Sequence, residues 1–431
     1  TLNNHSDLRM RKILFLFLIL FTMLTPSFAQ EGNNWYFGRH AGLSFNYPTP
    51  KALHDGALST YEGCATISDK NGLLLFYTDG TTVWNKNHQP MPNGTGLYGD
   101  SSSANAAIII PKPGSATIYY IFTCDSQENQ NIKGYNYSEV DITLDNGLGD
   151  ITANKNVLLY APSSEKLTAV RDANGTDVWI ITHEWGSNTW RSFKVSCNGV
   201  NTTSVNSSEG WVYQETRDID GTPYHIESAG CLKASPDGRK IATSDINSQK
   251  WELFNFDNAT GKISNGLNFH EYSPYGIEFS PDSKFVYVSS EKRGGITDSN
   301  SVKQFDLAVH DSAAIASSAI IIGTIGVAGN TNSINALQLG PDDKIYCILQ
   351  EDSYLSVINS PNTRGLSCNY INRQIDLEGK ICQKGLPVFF SSLITNKNVD
   401  FSFTAGNDCA TVGFSASSSI NNITQWLWDF G

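Results

Sequence analysis

Six short turns recur along the chain, and they constrain its fold more than any other feature. They read DKNG (69–72), PKPG (111–114), DANG (172–175), SPDG (235–238), SPDS (280–283) and GPDD (340–343). Pro presets φ at a turn corner, Asp caps the turn, and Gly accepts positive φ. Apolar runs rich in β-branched and aromatic residues flank each turn, so each reads as a hairpin, and a third apolar run follows. Turn-to-turn spacing is roughly 40 to 65 residues, the range for propeller blades carrying insertions. Helical periodicity is nearly absent. A row of sandwich domains would not give single-sheet units this short, whereas radial repetition covers the strand edges blade by blade. The expected fold is all-β, a seven-bladed β-propeller. Six blades are complete in sequence. The seventh is expected from both ends of the repeat region: NNWYFGRHAGLSF (Asn33 to Phe45) and GLPVFFSSLI (Gly385 to Ile394). A blade built from both ends ties the ring shut.

The flanks predict a different fate for each end. Met10-Arg11-Lys12, the apolar run from Ile13 to Phe21, and the small-residue site SFAQ form a secretory signal peptide, cleaved after Ala29, with extra residues upstream of Met10. The run is too short to cross a membrane, which takes about 20 residues. The predicted domains are therefore a signal segment (1–29), a propeller (30–395) and a C-terminal piece (396–431). A net charge of -12 excludes a nucleic-acid partner. The eight Cys show no CxxC or zinc spacing, and disulfides or buried free thiols remain equally open, with Cys368 and Cys382 the nearest pair.

Several ordered motifs carry a resemblance. They include NNWYFGRHAGLSFN, LSTYEGCATISDKNGLLLFYTDGTTVWNKN, SSSANAAIIIPKPG, EKLTAVRDANGTDVWIITHEWGSN, LKASPDGRKIA, FSPDSKFVYVSS, LQLGPDDKIY and GLPVF. Together they resemble a family of large surface proteins from gliding-type bacteria that use type IX secretion. The resemblance implies a WD40/YVTN-like seven-bladed propeller followed by PKD modules. It also implies contact with the outer-membrane secretion machinery, if a C-terminal sorting domain follows. No catalytic residues come with it. The C-terminal stretch from Asn398 resembles the start of a PKD domain, a β-sandwich whose hallmark is WDFGDG. Trp428-Asp429-Phe430-Gly431 match its first half, so a truncated PKD domain is expected.

Chemistry is expected on the rim formed by inner-strand starts and by the loops between second and third strands. Carboxylates recur there in most blades: Glu62, Glu165 and Glu227 at strand starts, and Asp79, Glu184, Asp245 and Glu291 in loops. Of these, Glu62, Asp79, Glu165, Glu184 and Glu227, with His183, Trp185 and His225, form the candidate ligand-binding set, with Trp185 or Trp190 as a stacking platform and His225 and Glu227 on one side of a strand. Calcium is the cofactor considered, because clustered carboxylates favour a cation. The chain carries no G-x-S-x-G, P-loop or His-rich cluster. The expected function is a secreted or cell-surface, non-catalytic module for adhesion or recognition of an extracellular glycan or protein. The alternative is a propeller enzyme acting on carbohydrates or lactones.

Overall fold

The computed structural model describes residues 30–291, 300–309, 311–324, 333–394, 399–405 and 412–418. Gln30–Thr395 forms one compact unit. Seven of its antiparallel sheets each follow the chain outward strand by strand, and this is a seven-bladed β-propeller; a separate hairpin pairs Arg217–Ile219 with Thr222–Tyr224.

The first blade comprises Ala65–Ser68, Leu74–Thr78, Thr82–Asn85 and Pro90–Thr95. The inner strands of blades two to six are Ala107–Pro111, Ser163–Arg171, Leu232–Ala234, Pro274–Phe279 and Ile334–Leu339, and blades two and three each carry a fifth strand. All six predicted turns join the first and second strands of a blade. Their side chains set the bend. Asp69 Oδ1 accepts from the amides of Asn71 and Leu73, at 2.8 and 2.9 Å. Ser280 Oγ accepts from Lys284 and Phe285 N–H, at 3.2 and 2.9 Å. Such side-chain bonds occupy backbone groups that the sheet ladder leaves unpaired.

Both chain ends build the seventh blade. Its outer strands are Asn34–Phe37, Ala41–Ser44 and Lys51–Leu53. Residues 384–388 take the innermost place, between blades six and one. Ala336 N–H donates to Lys384 O at 3.1 Å, Lys384 N–H to Tyr61 O at 2.8 Å, and Val388 N–H to Cys64 O at 2.8 Å. Arg39 N–H reaches Ile381 O at 2.8 Å and joins the two pieces. Gly385 is required there, because a Cβ would lie 2.0 Å from Glu62 O. Trp35 is fully buried and packs on Phe45, on Tyr346 of blade six and on Phe389 of the closing segment. Burying a large apolar side chain is worth roughly 1.5–3 kcal/mol, and here one indole spans the seam.

The seven described cysteines are free thiols; six are buried and Cys197 is exposed. Cys368 and Cys382 are thus unbonded, and Cys409 lies outside the described residues. So do the signal segment and the WDFG motif. Val399–Ala405 pairs antiparallel with Val412–Ser418 in a separate unit. Among the described residues, no helix is long and apolar enough to cross a membrane.

Candidate functional site

Polar side chains collect where the inner strands begin, around one end of the axis. Lys384 Nζ lies 2.7 Å from Glu291 Oε1 and 3.9 Å from Glu62 Oε1. Asn335 Nδ2 donates to the same Glu291 oxygen at 2.6 Å. The two oxygens of Glu165 accept from the amides of Gln127 and Ala104, at 2.8 and 2.9 Å. Ser102 Oγ donates to Glu128 at 3.2 Å. These groups come from blades seven, five, one, six, three and two. Glu62, Glu165 and Glu291 are all buried.

The carboxyls outnumber the lysine, and the field shows it. Burial pushes the Glu62 carboxyl up to about 8; Lys384 opposes this, Glu128 and Glu291 reinforce it, and the Tyr275 hydroxyl faces the group. Burial also raises Glu165, helped by Glu62 and Glu128 and resisted by its two amide donors. Burial alone would lower Lys384, but Glu291 and Glu62 outweigh it and raise the ammonium. Near neutral pH the cluster therefore holds the protonated carboxyl of Glu62, which can donate, close to the ammonium of Lys384.

Unanswered hydrogen-bonding groups sit at the same end of the ring. Ser126 Oγ, Glu128 Oε2, Ser163 Oγ, Ser228 Oγ, Asn335 Oδ1 and both Gln383 amide atoms are buried with no protein partner. All seven blades contribute to this set and the ion cluster taken together. Buried polar groups of this kind take their bonds from water or from a ligand. Among the described residues, no three His, Cys, Asp or Glu side chains stand close enough to share a metal ion.

Two of the eight predicted residues, Glu62 and Glu165, meet at the axis; the others have local duties. Asp79 caps a turn, accepting from Thr81 and Thr82 N–H at 2.8 Å each. His183 is not in a loop. It is the penultimate residue of the strand Val178–Glu184, buried edge-on against Trp190 and Tyr213, with neither ring nitrogen hydrogen-bonded. Burial, with nearby Lys166, lowers its pKa to about 3. Glu184 forms an ion pair with Arg191 at 2.6 Å. Trp185 is stacked under His225, with ring centroids 4.2 Å apart, and Trp190 is fully buried, so neither offers a free platform. His225 and Glu227 do not alternate along a strand. Ile226–Ser228 is a 3-10 turn, and Glu227 accepts from Gln214 and Glu215 N–H, both at 2.9 Å.

Sequence reasoning missed Lys384, Tyr275 and Asn335. A signal for two of them existed. Glu62-Gly63, Tyr275-Gly276 and Lys384-Gly385 share one pattern, a polar side chain followed by Gly at an inner-strand start. At each such Gly a Cβ would strike a neighbouring blade's backbone, as Gly63 would meet Ala106 N at 2.2 Å.

No protein-family model matches the sequence, and no curated protein matches it. The structure is similar to a candidate 6-phosphogluconolactonase from Bacteroides fragilis, at 16% identity and TM-score 0.42, covering 83% of this chain and 92% of that one. It is also similar to a periplasmic gluconolactonase from Pseudomonas aeruginosa, at 11% identity and TM-score 0.40, covering 89% and 91%.

Proposed function

We propose that this propeller is a non-catalytic recognition module of a larger exported surface protein, and that it binds a carbohydrate at its axial polar cluster. The observation that carries this reading is the axial cluster in which Glu62 and Glu291 flank the Lys384 ammonium and Glu165 lies within electrostatic reach of Glu62. Sugars present hydroxyls that both donate and accept, and this cluster answers both needs from several directions. The built-in lysine also argues for a neutral polyhydroxyl ligand over calcium, because it already offsets part of the negative charge. Export, the PKD continuation and type IX secretion belong to the same proposal and rest on the sequence.

The test is a glycan array followed by calorimetry on the full chain, with calcium as a parallel titrant. Wild type is expected to bind a glycan, Glu62→Gln and Lys384→Met to lose about tenfold or more for one or two charged hydrogen bonds, and Glu227→Gln to bind normally. Absence of glycan binding, or undiminished binding by both cluster variants, overturns the reading.

A second reading is favoured by one observation, the Glu62 carboxyl held to about 8. Such a group stays protonated at neutral pH and suits general acid catalysis. For a sugar lactone, water would add to the carbonyl, the ring C–O bond would break, Glu62 would protonate the leaving ring oxygen, and the proton released by the attacking water would return to Glu62. Lactone opening followed by NMR, in wild type and in Glu62→Gln, separates this activity from binding alone.

A further inference from the structure

The aromatic residues expected to stack on a ligand are buried, but others are not. Trp211 and Tyr272 are 42% and 41% exposed. They belong to one continuous strip on the rim of blade four. The Lys250 ammonium lies 2.8 Å from the centroid of the Trp211 ring. Lys250 is paired with His270 across the strands Lys250–Asp257 and Lys262–His270. His270 is exposed and meets Tyr272 edge-on, with ring centroids 5.3 Å apart. The backbone then runs inward through Ser273 and Pro274 to Tyr275, beside Glu62. Tyr61, 41% exposed, immediately precedes Glu62, and its hydroxyl accepts from Gln350 Nε2 at 3.1 Å.

Exposed aromatic residues scattered singly need no explanation. These are not scattered. Rings and a cation follow one another from the outer strand of blade four to Tyr272, three residues before Tyr275. We infer that the ligand is an oligosaccharide chain, with one sugar at the axial cluster and further sugars laid over Tyr272 and Trp211. The assignment rests on the proposed carbohydrate reading. Its physical basis is the apolar C–H face of a pyranose, which packs on an aromatic ring while its equatorial hydroxyls stay wet. A monosaccharide would occupy the axial cluster alone and leave the strip unused. A protein partner would need a much larger apolar patch than this narrow path presents.

Calorimetry with matched sugar ladders, monomer to hexamer, tests the assignment on the full chain. The ladders are β-1,4-linked glucose, β-1,4-linked N-acetylglucosamine and β-1,3-linked glucose. For a ladder that binds, affinity should rise with chain length and then level off. Trp211→Ala and Tyr272→Ala should each remove roughly 2- to 10-fold from longer members, the worth of one stacking contact. Both should leave the shortest binding member unchanged, and Trp211→Phe should restore most of the loss. Equal affinity for short and long members, or a length dependence that survives both Ala variants, overturns the extended site and leaves the axial reading intact. If no ladder and no arrayed glycan binds, the carbohydrate reading fails and this inference fails with it.

Discussion

Lys384, in the segment that closes the ring, lies 2.7 Å from Glu291, two blades away. Asn335, from the blade between them, donates to the same carboxylate at 2.6 Å. One charge pair thus links three successive blades at the axis. Both partners are largely buried, so neither can turn to water if the other is lost. Replacing Lys384 by Met should cost about 3–5 kcal/mol, the usual penalty for leaving a buried charge unpaired. Adding Glu291→Gln should return part of that loss. Urea unfolding of the single and double variants measures both, and a harmless single variant would show the pair to be solvated.

Gly385 offers a sharper probe of closure. A single methyl at this position would meet the Glu62 carbonyl group at 2.0 Å to its oxygen and 2.3 Å to its carbon, both backbone atoms. Gly385→Ala should destabilise by about 1–3 kcal/mol through overpacking. It should also weaken ligand binding, because it displaces Glu62. Thermal unfolding and calorimetry report the two effects separately, and an unchanged melting temperature would contradict the close approach.

Glu62 and His183 give pH dependences of opposite sign. The folded Glu62 carboxyl titrates at about 8, against an ordinary 4.5. The folded state therefore holds the extra proton between these values, and stability falls as pH rises from 4.5 to 8. Glu62→Gln mimics the protonated form and should be more stable than wild type at pH 8, with the difference vanishing towards pH 4.5. The folded His183 ring titrates at about 3, against 6.5. There the unfolded state holds the extra proton, so stability falls as pH drops from 6.5 towards 3. His183→Phe should remove about 2 kcal/mol of the loss between pH 6.5 and 5, at about 1.4 kcal/mol per pH unit. Denaturant melts across pH 4 to 9 check both slopes, and parallel curves for wild type and variant would refute either assignment.

Thiol chemistry gives an independent check on the blades. Of the seven described cysteines only Cys197 is exposed. Burial raises the thiols of Cys64, Cys124, Cys231, Cys347, Cys368 and Cys382, which suppresses the reactive thiolate. With Cys409 replaced by Ser, a bulky thiol reagent should label one cysteine in the native protein and all seven after unfolding in denaturant. Fewer than seven in the unfolded, unreduced protein would reveal a disulfide.

The blades were legible because each advertises itself locally. Asp69, Ser235 and Ser280 bend the chain through bonds to residues within five positions, and such turns leave a mark in sequence. The shared seventh blade was legible for a related reason: aromatic-rich segments holding Trp35 and Phe389 stand at the two ends of the repeat region, outside the six complete units. The axial cluster was half legible. Glu62 and Glu165 stand at strand starts, where inward direction follows from position. Lys384 was missed because its partners lie 93 and 322 positions away, at Glu291 and Glu62. His183, Trp185 and Glu227 were misjudged for the opposite reason. Their polarity suggested the rim, whereas packing against Tyr213 and His225 and bonds to the amides of Gln214 and Glu215 had already claimed them.

The order in which the chain is made gives the closing segment one more consequence. Lys384 leaves the ribosome after every carboxylate it serves, and it reaches them only when residues 384–388 slot between Ile334–Leu339 and Ala65–Ser68. Until then Glu62 and Glu291 lack the ammonium that lies beside them in the closed ring. One late step thus closes the ring and completes the ion pair, drawn together by opposite charges. Its rate should fall as added salt screens Lys384 from Glu291, while the earlier blades assemble at a pace indifferent to it.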